Sequence, residues 1–578
     1  MSALPGPGAG PRWWPVAFVF GLALILFAAF PYFERVRNAN ELPRLIQSMS
    51  LAESGEWAID GPSRRGLATG PDVARSPEDG RLYPNKPPGA SVVGALAFKA
   101  ATLGVDPETG PSLRRFTWWA RAFGGVLPVL VFAGLAWIRL APRFGAPVAA
   151  ASITAVVLGT PLFSYARLFY GHALAAALLY AGVLALERGA AARTRPGRGG
   201  VVGVAAGGWG PLVWLGFGGA LAAAAITVEY GAAFAGLPIA LALVWPVFAA
   251  PDGELRTRAG LGAGVALAGA CVPVVMLAAY QHAVFGSALA TGYHHAADPG
   301  FAALHGRGLL GLGAPRWENV RIHLLSPNTG LAVWSPLCVV GVGGLALGLR
   351  SSTPGLRSST LRARSALRLG IFGVVLAMGL GLSFQGGWRV GPRYLVVALP
   401  MLTLGFAEAL SRARNATWGP GWSLALAVGL GAIMGWSLWT NSLAATLWPH
   451  LDPTNIAEPF GAVLLPLWRI GPGPYGLPQW AEWGLHASVF APVVLGLGVL
   501  AWSLGEPRES SAHPWWRSPR TLAVVLAGLG GLGAVSAIPR VVSAHPMSER
   551  NLRYIQRMYE PGESEAPESL LLRPLTDP

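Results

Sequence analysis

The feature that most limits what this chain can become is the succession of long apolar runs that fills it. They fall at 13–33, 116–138, 146–164, 173–186, 209–228, 231–249, 259–280, 329–349, 369–384, 394–410, 421–440, 484–504 and 521–538. Hydrocarbon holds no water to satisfy backbone N–H and C=O groups, so a run of this kind must close its hydrogen bonds on itself. About 20 apolar residues in a helix cross the roughly 30 Å of a bilayer core. The expected fold is an all-α integral membrane protein, a polytopic bundle of about 13 transmembrane helices. Composition agrees, with 53% of the 578 residues hydrophobic and only 12% charged, against about a quarter charged in soluble domains.

A net charge of +15 raises nucleic acid as a partner. The arginines, however, sit in short loops between apolar runs instead of forming one patch, which is the pattern of membrane topology. The first run follows Arg12 and lacks a small-residue cleavage site, so it reads as a retained helix with a cytoplasmic N-terminus. Alternate connections then carry Arg139 and Arg143, the Arg188 to Arg198 group, Arg256 and Arg258, the Arg350 to Arg368 group, Arg412 and Arg414, and Arg508, Arg517 and Arg520. Every short basic loop thereby falls on the cytoplasmic side. The long first loop at about 34–115, the loops near 281–328 and 441–483 and the C-terminal tail are expected outside. Within the first loop, Leu42, Leu45, Ile46 and Met49 have helical spacing, and 90–103 is apolar but too short to span. The first is expected to lie along the membrane surface and the second to be interfacial or re-entrant. No internal repeat of the kind common in transporters is present. Cys271 and Cys338 lie within or beside apolar runs and encode no disulfide or zinc framework. Three regions follow: a core at 1–420 that includes the first outer loop, C-terminal helices at 421–538 and an outer tail at 539–578.

Three polar constellations sit at the expected outer ends of the helices. The first loop carries Asn40, Glu41 and Arg44, then Asp60, Asp72 and Asp79, then Tyr83-Pro84-Asn85-Lys86-Pro87-Pro88-Gly89. Consecutive prolines stiffen the backbone after Lys86, one of only two lysines in the chain. A compact ammonium held at a membrane boundary suits a phosphate, and it equally suits a lysine reaching for headgroups. Acids beside cations suit a base that activates an acceptor hydroxyl next to groups that hold an anionic leaving group, while any one of those acids also reads as a solvated loop carboxylate. The second constellation is Arg167 with His172, and the third is the glycine-rich turn holding Arg389, Arg393 and Tyr394. Paired guanidiniums fit phosphate oxygens. Glu229, with Tyr230, fits either a functional group or an interface anchor, and the anchor is the favoured reading. The histidines between 281 and 328 make no metal-ligand spacing, so no metal site is expected.

At these residues the chain resembles the membrane C-type glycosyltransferases, in the branch of protein O-mannosyltransferases and bacterial aminoarabinose transferases that use polyprenyl-phosphate sugars. Asn40-Glu41 resembles the Asp-Glu pair that opens the first outer loop of that family, with Asn in place of the acid usually taken as catalytic, and Arg44 stands one position from a family arginine. Tyr83, Asn85, Lys86, Pro87 and Pro88 resemble its Tyr, Glu, Lys, Pro, Pro string, His172 takes the place of its second-loop acid, and Arg393-Tyr394 resembles its late basic motif. After about 420 the likeness is only topological. The resemblance implies transfer of a single sugar, with inversion, from an outward-facing polyprenyl-phosphate donor to a hydroxyl of a lipid, glycan or protein acceptor. Glu41 is then the most economical candidate base, with Asp60 or Asp72 in reserve. Arg44, Tyr83, Lys86, Arg167, His172, Arg389, Arg393 and Tyr394 are the expected substrate-binding residues. Membrane lipids are expected partners and nucleic acid is not. No cofactor is expected to be required; the reading is of a metal-independent or weakly metal-assisted transferase, with no ligand set for a divalent metal identified. The expected location is a bacterial inner membrane with the site facing the periplasm. The competing readings are a transporter or flippase of a lipid-linked substrate, and a glycan ligase or polymerase. Charges gathered at helix ends instead of mid-membrane favour the transferase.

Overall fold

The protein is described here by a computed structural model, covering residues 13–28, 38–63, 67, 69–193, 210–305, 311–350, 356–382, 386–416, 419–452, 456–470, 484–505, 515–542 and 548–559. The expected topological markers Arg12, Arg195, Arg198 and Arg508, and most of the C-terminal tail, lie outside these residues.

Among the described residues, ten helices are long and apolar enough to cross a membrane, against the thirteen or so expected. Three shorter apolar helices, Trp14–Ala28, Ala146–Leu158 and Cys338–Leu349, coincide with the remaining expected runs. At 1.5 Å per residue they reach only about 18–23 Å as described, short of a bilayer core. The bundle is integral to the membrane, with large apolar side chains such as Val131, Ile138, Leu267 and Met276 exposed around it and no water-facing reason for them to be there. Inside, helices approach closely where side chains are absent. Gly344 packs so near the Gly405 carbonyl that an added Cβ would lie 1.8 Å from it, which is small-residue contact of the kind that joins helices in lipid.

Two of the irregular crossings position the site. The segment expected to start at 116 begins as the helix Leu113–Arg121, with Ser112 accepting a hydrogen bond from the Arg115 amide, and widens into a π-helical turn at Ala122–Val126 before continuing as Leu127–Phe144. Such a turn adds a residue to the ladder and re-aims what precedes it. Here that is Arg121. The segment expected at 394–410 begins as a tight 3-10 stretch, Arg393–Met401, containing Pro400.

The first loop folds onto one end of the bundle. Its helix Leu42–Ser54 starts with proline in its first turn, as expected for a position whose N–H has no partner, and buries nine consecutive residues from Leu42 to Ser50. The expected interfacial helix is therefore present but covered. The short apolar segment forms the helix Gly89–Thr102, packed against Leu42–Ser54 and Leu113–Arg121. Between them the loop makes a two-stranded antiparallel sheet that an all-helical expectation omits. Strand β1 is Val73–Arg75 and β2 is Leu82–Pro84, paired Val73 with Pro84 and Arg75 with Leu82. The loop that follows Phe285 adds a bridge, Ala74 to Ala296, flanked by hydrogen bonds from the Arg75 amide to the His295 carbonyl and from the Ala297 amide to the Val73 carbonyl. The sheet thus ties residues near 295 to the lysine motif that follows β2.

Candidate functional site

Charged side chains brought from far apart in the sequence are buried together where the first loop meets the bundle. Arg44, Lys86, Arg389 and Arg393 are each no more than 5% exposed, as are Glu229 and His172. Burying so many ionised groups is costly unless they pair with one another or with a ligand.

Part of the pairing is internal. The Arg44 guanidinium donates to Asn40 Oδ1 at 2.5 Å, to the Tyr170 carbonyl and to Glu229 Oε2 at 3.3 Å. The His172 Nδ1 atom lies 2.9 Å from the same Glu229 oxygen. Lys86 Nζ stands 3.5 Å from Asp72 Oδ1 and 4.6 Å from the centre of the Tyr293 ring, a cation over an aromatic face. Burial, joined by the neighbouring Arg393 and Arg44 charges, outweighs the attraction of Asp72 and Glu229 and pulls Lys86 down to about 8. Arg389 is likewise lowered to about 10 by burial and by the Arg393 charge beside it.

The turn before Arg393 holds the two guanidiniums side by side. Arg389 donates to the Gly386 carbonyl at 3.0 Å and Arg393 to the Tyr394 hydroxyl at 3.4 Å. Gly386 has φ of +92°, and a Cβ there would sit 2.7 Å from Arg393 Nε. A side chain would strain the backbone and displace that guanidinium together. Gly386→Ala is therefore expected to cost about 1–2 kcal/mol in stability and to weaken anion binding. Titration of the variant with inorganic phosphate, beside its thermal melt, checks both. The Nε atoms of Arg44, Arg389 and Arg393 are buried without a hydrogen-bond partner. Orphaned donors of this kind on three cations are what an incoming anion would satisfy.

The structure distributes the expected acids differently from one another. Glu41 is fully buried, accepts from Arg121 through both oxygens at 2.9 Å and from the Phe169 amide at 2.7 Å, and has His450 Nε2 at 3.9 Å. Burial alone would raise its pKa, but the Arg121 charge and hydrogen bonds, with His450 and the Phe169 amide, hold it below the ordinary carboxylate value. A carboxylate so engaged is a poor proton acceptor. The cation that pairs with Glu41 is Arg121. Asp60 sits in the first loop's own framework, accepting from the Leu82 amide at 2.8 Å. Asp72 has only long contacts to side chains, 3.5 Å to Lys86 and 3.5 Å to Asn85 Nδ2, and its side chain keeps 11% exposure.

Two expected ligand-binding residues are turned elsewhere. Arg167 donates to the carbonyls of Leu26 and Ala445, each in the last turn of its helix. Tyr83 donates to Asp79 at 2.6 Å and packs near Phe285 and Tyr280 in a small separate core. Glu229, read as an interface anchor, is instead central to the cluster. Arg121, Tyr293 and His450 were not legible as site residues. His450 bonds Asn38 at 3.0 Å and Tyr170 at 3.2 Å, and burial holds it near 4, so it stays neutral. Among the described residues no three His, Cys, Asp or Glu side chains gather as a set of metal ligands.

No protein-family model matches the chain, and no curated protein matches its sequence. Solved structures do. The chain is similar to ArnT from Cupriavidus metallidurans in its apo state, with 17% identity, a TM-score of 0.45, and 90% of this chain and 78% of that chain covered. It is similar to the same protein bound to undecaprenyl phosphate, with 14% identity, a TM-score of 0.43 and coverage of 92% and 79%. It is also similar to the archaeal oligosaccharyltransferase AglB from Archaeoglobus fulgidus, in complex with an inhibitory peptide and a dolichol-phosphate. There the identity is 10% and the TM-score 0.43, over 95% of this chain and 60% of that one.

Proposed function

We propose that the protein is a membrane glycosyltransferase that takes a sugar from a polyprenyl-phosphate donor at the outer face of the membrane and passes it to an acceptor hydroxyl. The observation that carries this reading is the buried group of Lys86, Arg389 and Arg393, two of them with orphaned guanidinium nitrogens, at the end of the bundle roofed by the first loop. Such a group meets a phosphate that arrives attached to a lipid, and the basic-loop pattern of the sequence puts this end away from the cytoplasm.

In the reaction so read, the acceptor oxygen attacks the anomeric carbon as the bond from that carbon to the phosphate oxygen breaks. The bonding pair leaves with the phosphate, whose charge Lys86, Arg389 and Arg393 stabilise. The acceptor proton passes to Asp72. Lys86 stands between base and leaving group. Its 3.5 Å to Asp72 plus one hydrogen bond of about 2.9 Å leaves roughly 6 Å for the reacting centre and fits attack from the face opposite the phosphate. Glu229, with Arg44 and His172 against it, fixes the floor of the site.

A phosphodiester carries one negative charge across neutral pH, so the pH dependence of donor binding falls to Lys86. Its depressed value near 8 makes the ammonium present below that pH and lost above it. Affinity for a polyprenyl-phosphate sugar is expected to be level from pH 6 to 7.5 and to weaken through pH 8 to 9.5. Lys86→Ala should bind weakly at every pH, whereas Lys86→Arg should keep part of the affinity with a flat profile, because a guanidinium stays charged. Binding curves for the three proteins across that range are the test. Undiminished binding by both Lys86→Ala and Arg393→Ala would remove the phosphate clamp, and with it this reading.

A further inference from the structure

A second charged cluster lies at the opposite end of the bundle and takes no part in the proposed chemistry. Glu187, at the far end of the helix His172–Arg193, pairs with Arg368, with Arg364 at 3.3 Å and with Arg139 at 3.4 Å. Glu408 pairs with Arg143 at 3.2 Å and Arg412 at 3.9 Å. The two sets adjoin, since Arg139 and Arg143, which pair with Glu187 and Glu408, stand one turn apart on the helix Leu127–Phe144. Five arginines thus surround two glutamates. Both carboxylates are buried at 8% side-chain exposure, while Arg139, Arg143 and Arg412 keep 35%, 36% and 43%. Arg368 is itself 3% exposed, with its Nε lacking a hydrogen-bond partner.

Arginines that only set topology need no buried acids to gather them. Here the glutamates pin guanidiniums from separate helices into one group and leave it with surplus positive charge facing outward. Ile138, next to Arg139, is 68% exposed, and Val131 two turns back is 59% exposed on the same helix. Those side chains continue the cluster into an apolar flank. An occupant with an anionic head and hydrocarbon tails fits head and flank together, and a free anion fits only the first.

We infer that the Arg139, Arg143, Arg364, Arg368 and Arg412 cluster is a binding site for the phosphodiester headgroup of an anionic phospholipid. The lipid neutralises the surplus charge and clamps the ends of four helices. The site is independent of the glycosyltransferase reading and stands at the other end of the molecule.

The test is thermal melting of the full chain in neutral detergent with added phosphatidylglycerol, phosphatidylcholine or inorganic phosphate. Phosphatidylglycerol is expected to raise the melting temperature by several degrees and the other two to leave it unchanged. The double variant Arg139→Gln/Arg143→Gln should lose most of that gain, while Arg256→Gln/Arg258→Gln, an equal loss of charge at the start of the helix Gly253–Phe285, should keep it. Equal gains from phosphatidylcholine, an unaltered gain in the first double variant, or an equal loss in the second would each overturn the inference. So would a full gain from inorganic phosphate, which would make the ligand a free anion.

Discussion

Asp72→Asn is expected to bind the lipid-linked donor and to transfer sugar about 10²- to 10⁴-fold more slowly than the wild type, the usual contribution of a positioned general base. Of the acids in the first loop, Asp72 is the one beside the cation cluster whose carboxylate is not taken up by short hydrogen bonds. The asparagine is nearly the same shape and cannot accept the acceptor's proton. Removing the carboxylate also removes an attraction that holds a proton on Lys86, so donor binding in the variant is best compared near pH 6.5, where the ammonium persists. Single-turnover transfer and donor affinity, measured on the same preparation, separate the two effects. Normal transfer by Asp72→Asn, with transfer lost in Glu229→Gln or His172→Ala, would move the base to the Glu229–His172 pair and leave the transferase reading standing.

Glu41→Gln is expected to damage the fold before it damages the chemistry. Removing one partner of a buried ion pair leaves an uncompensated charge and costs about 3–5 kcal/mol. Arg121 is 2% exposed and Glu41 is its bidentate partner, while the Phe169 amide depends on the same carboxylate. The melting temperature of Glu41→Gln should therefore fall sharply. Glu41→Gln/Arg121→Gln, which removes both charges, should recover part of the loss. A Glu41→Gln protein that melts with the wild type and binds donor but transfers nothing would return the role of base to Glu41, as the family resemblance implies. Since Arg121 stands at the start of a π-helical turn, a weakened pair is also expected to loosen that turn, which amide exchange across 121–127 would register.

The sequence alone carried the membrane character, the positions of most helices and the existence of a loop helix near Leu42, and it singled out Lys86, Arg389 and Arg393 as candidates. These are local signals. Apolar length, helical spacing and a proline-stiffened lysine can all be read in windows of a few residues to about 20. The small sheet around the lysine motif escaped notice because its strands are three residues each and its third member comes from the loop near Ala296. What each charge faces was decided by tertiary structure. Glu41 and Arg121 are 80 residues apart, Arg44 and Glu229 are 185 apart, and Arg167 reaches the Ala445 carbonyl across 278. A carboxylate locked by an arginine and one left beside a lysine look alike in sequence, because the difference lies in which donors the fold brings within 3 Å. Sequence determined that this chain lies in a membrane with cations gathered at the ends of its helices. Packing alone decided that Glu41 is enclosed, that Arg167 and Tyr83 face elsewhere, and that Glu229 and Asp72 stand among the cations, since burial and pairing set the charge and reach of each group.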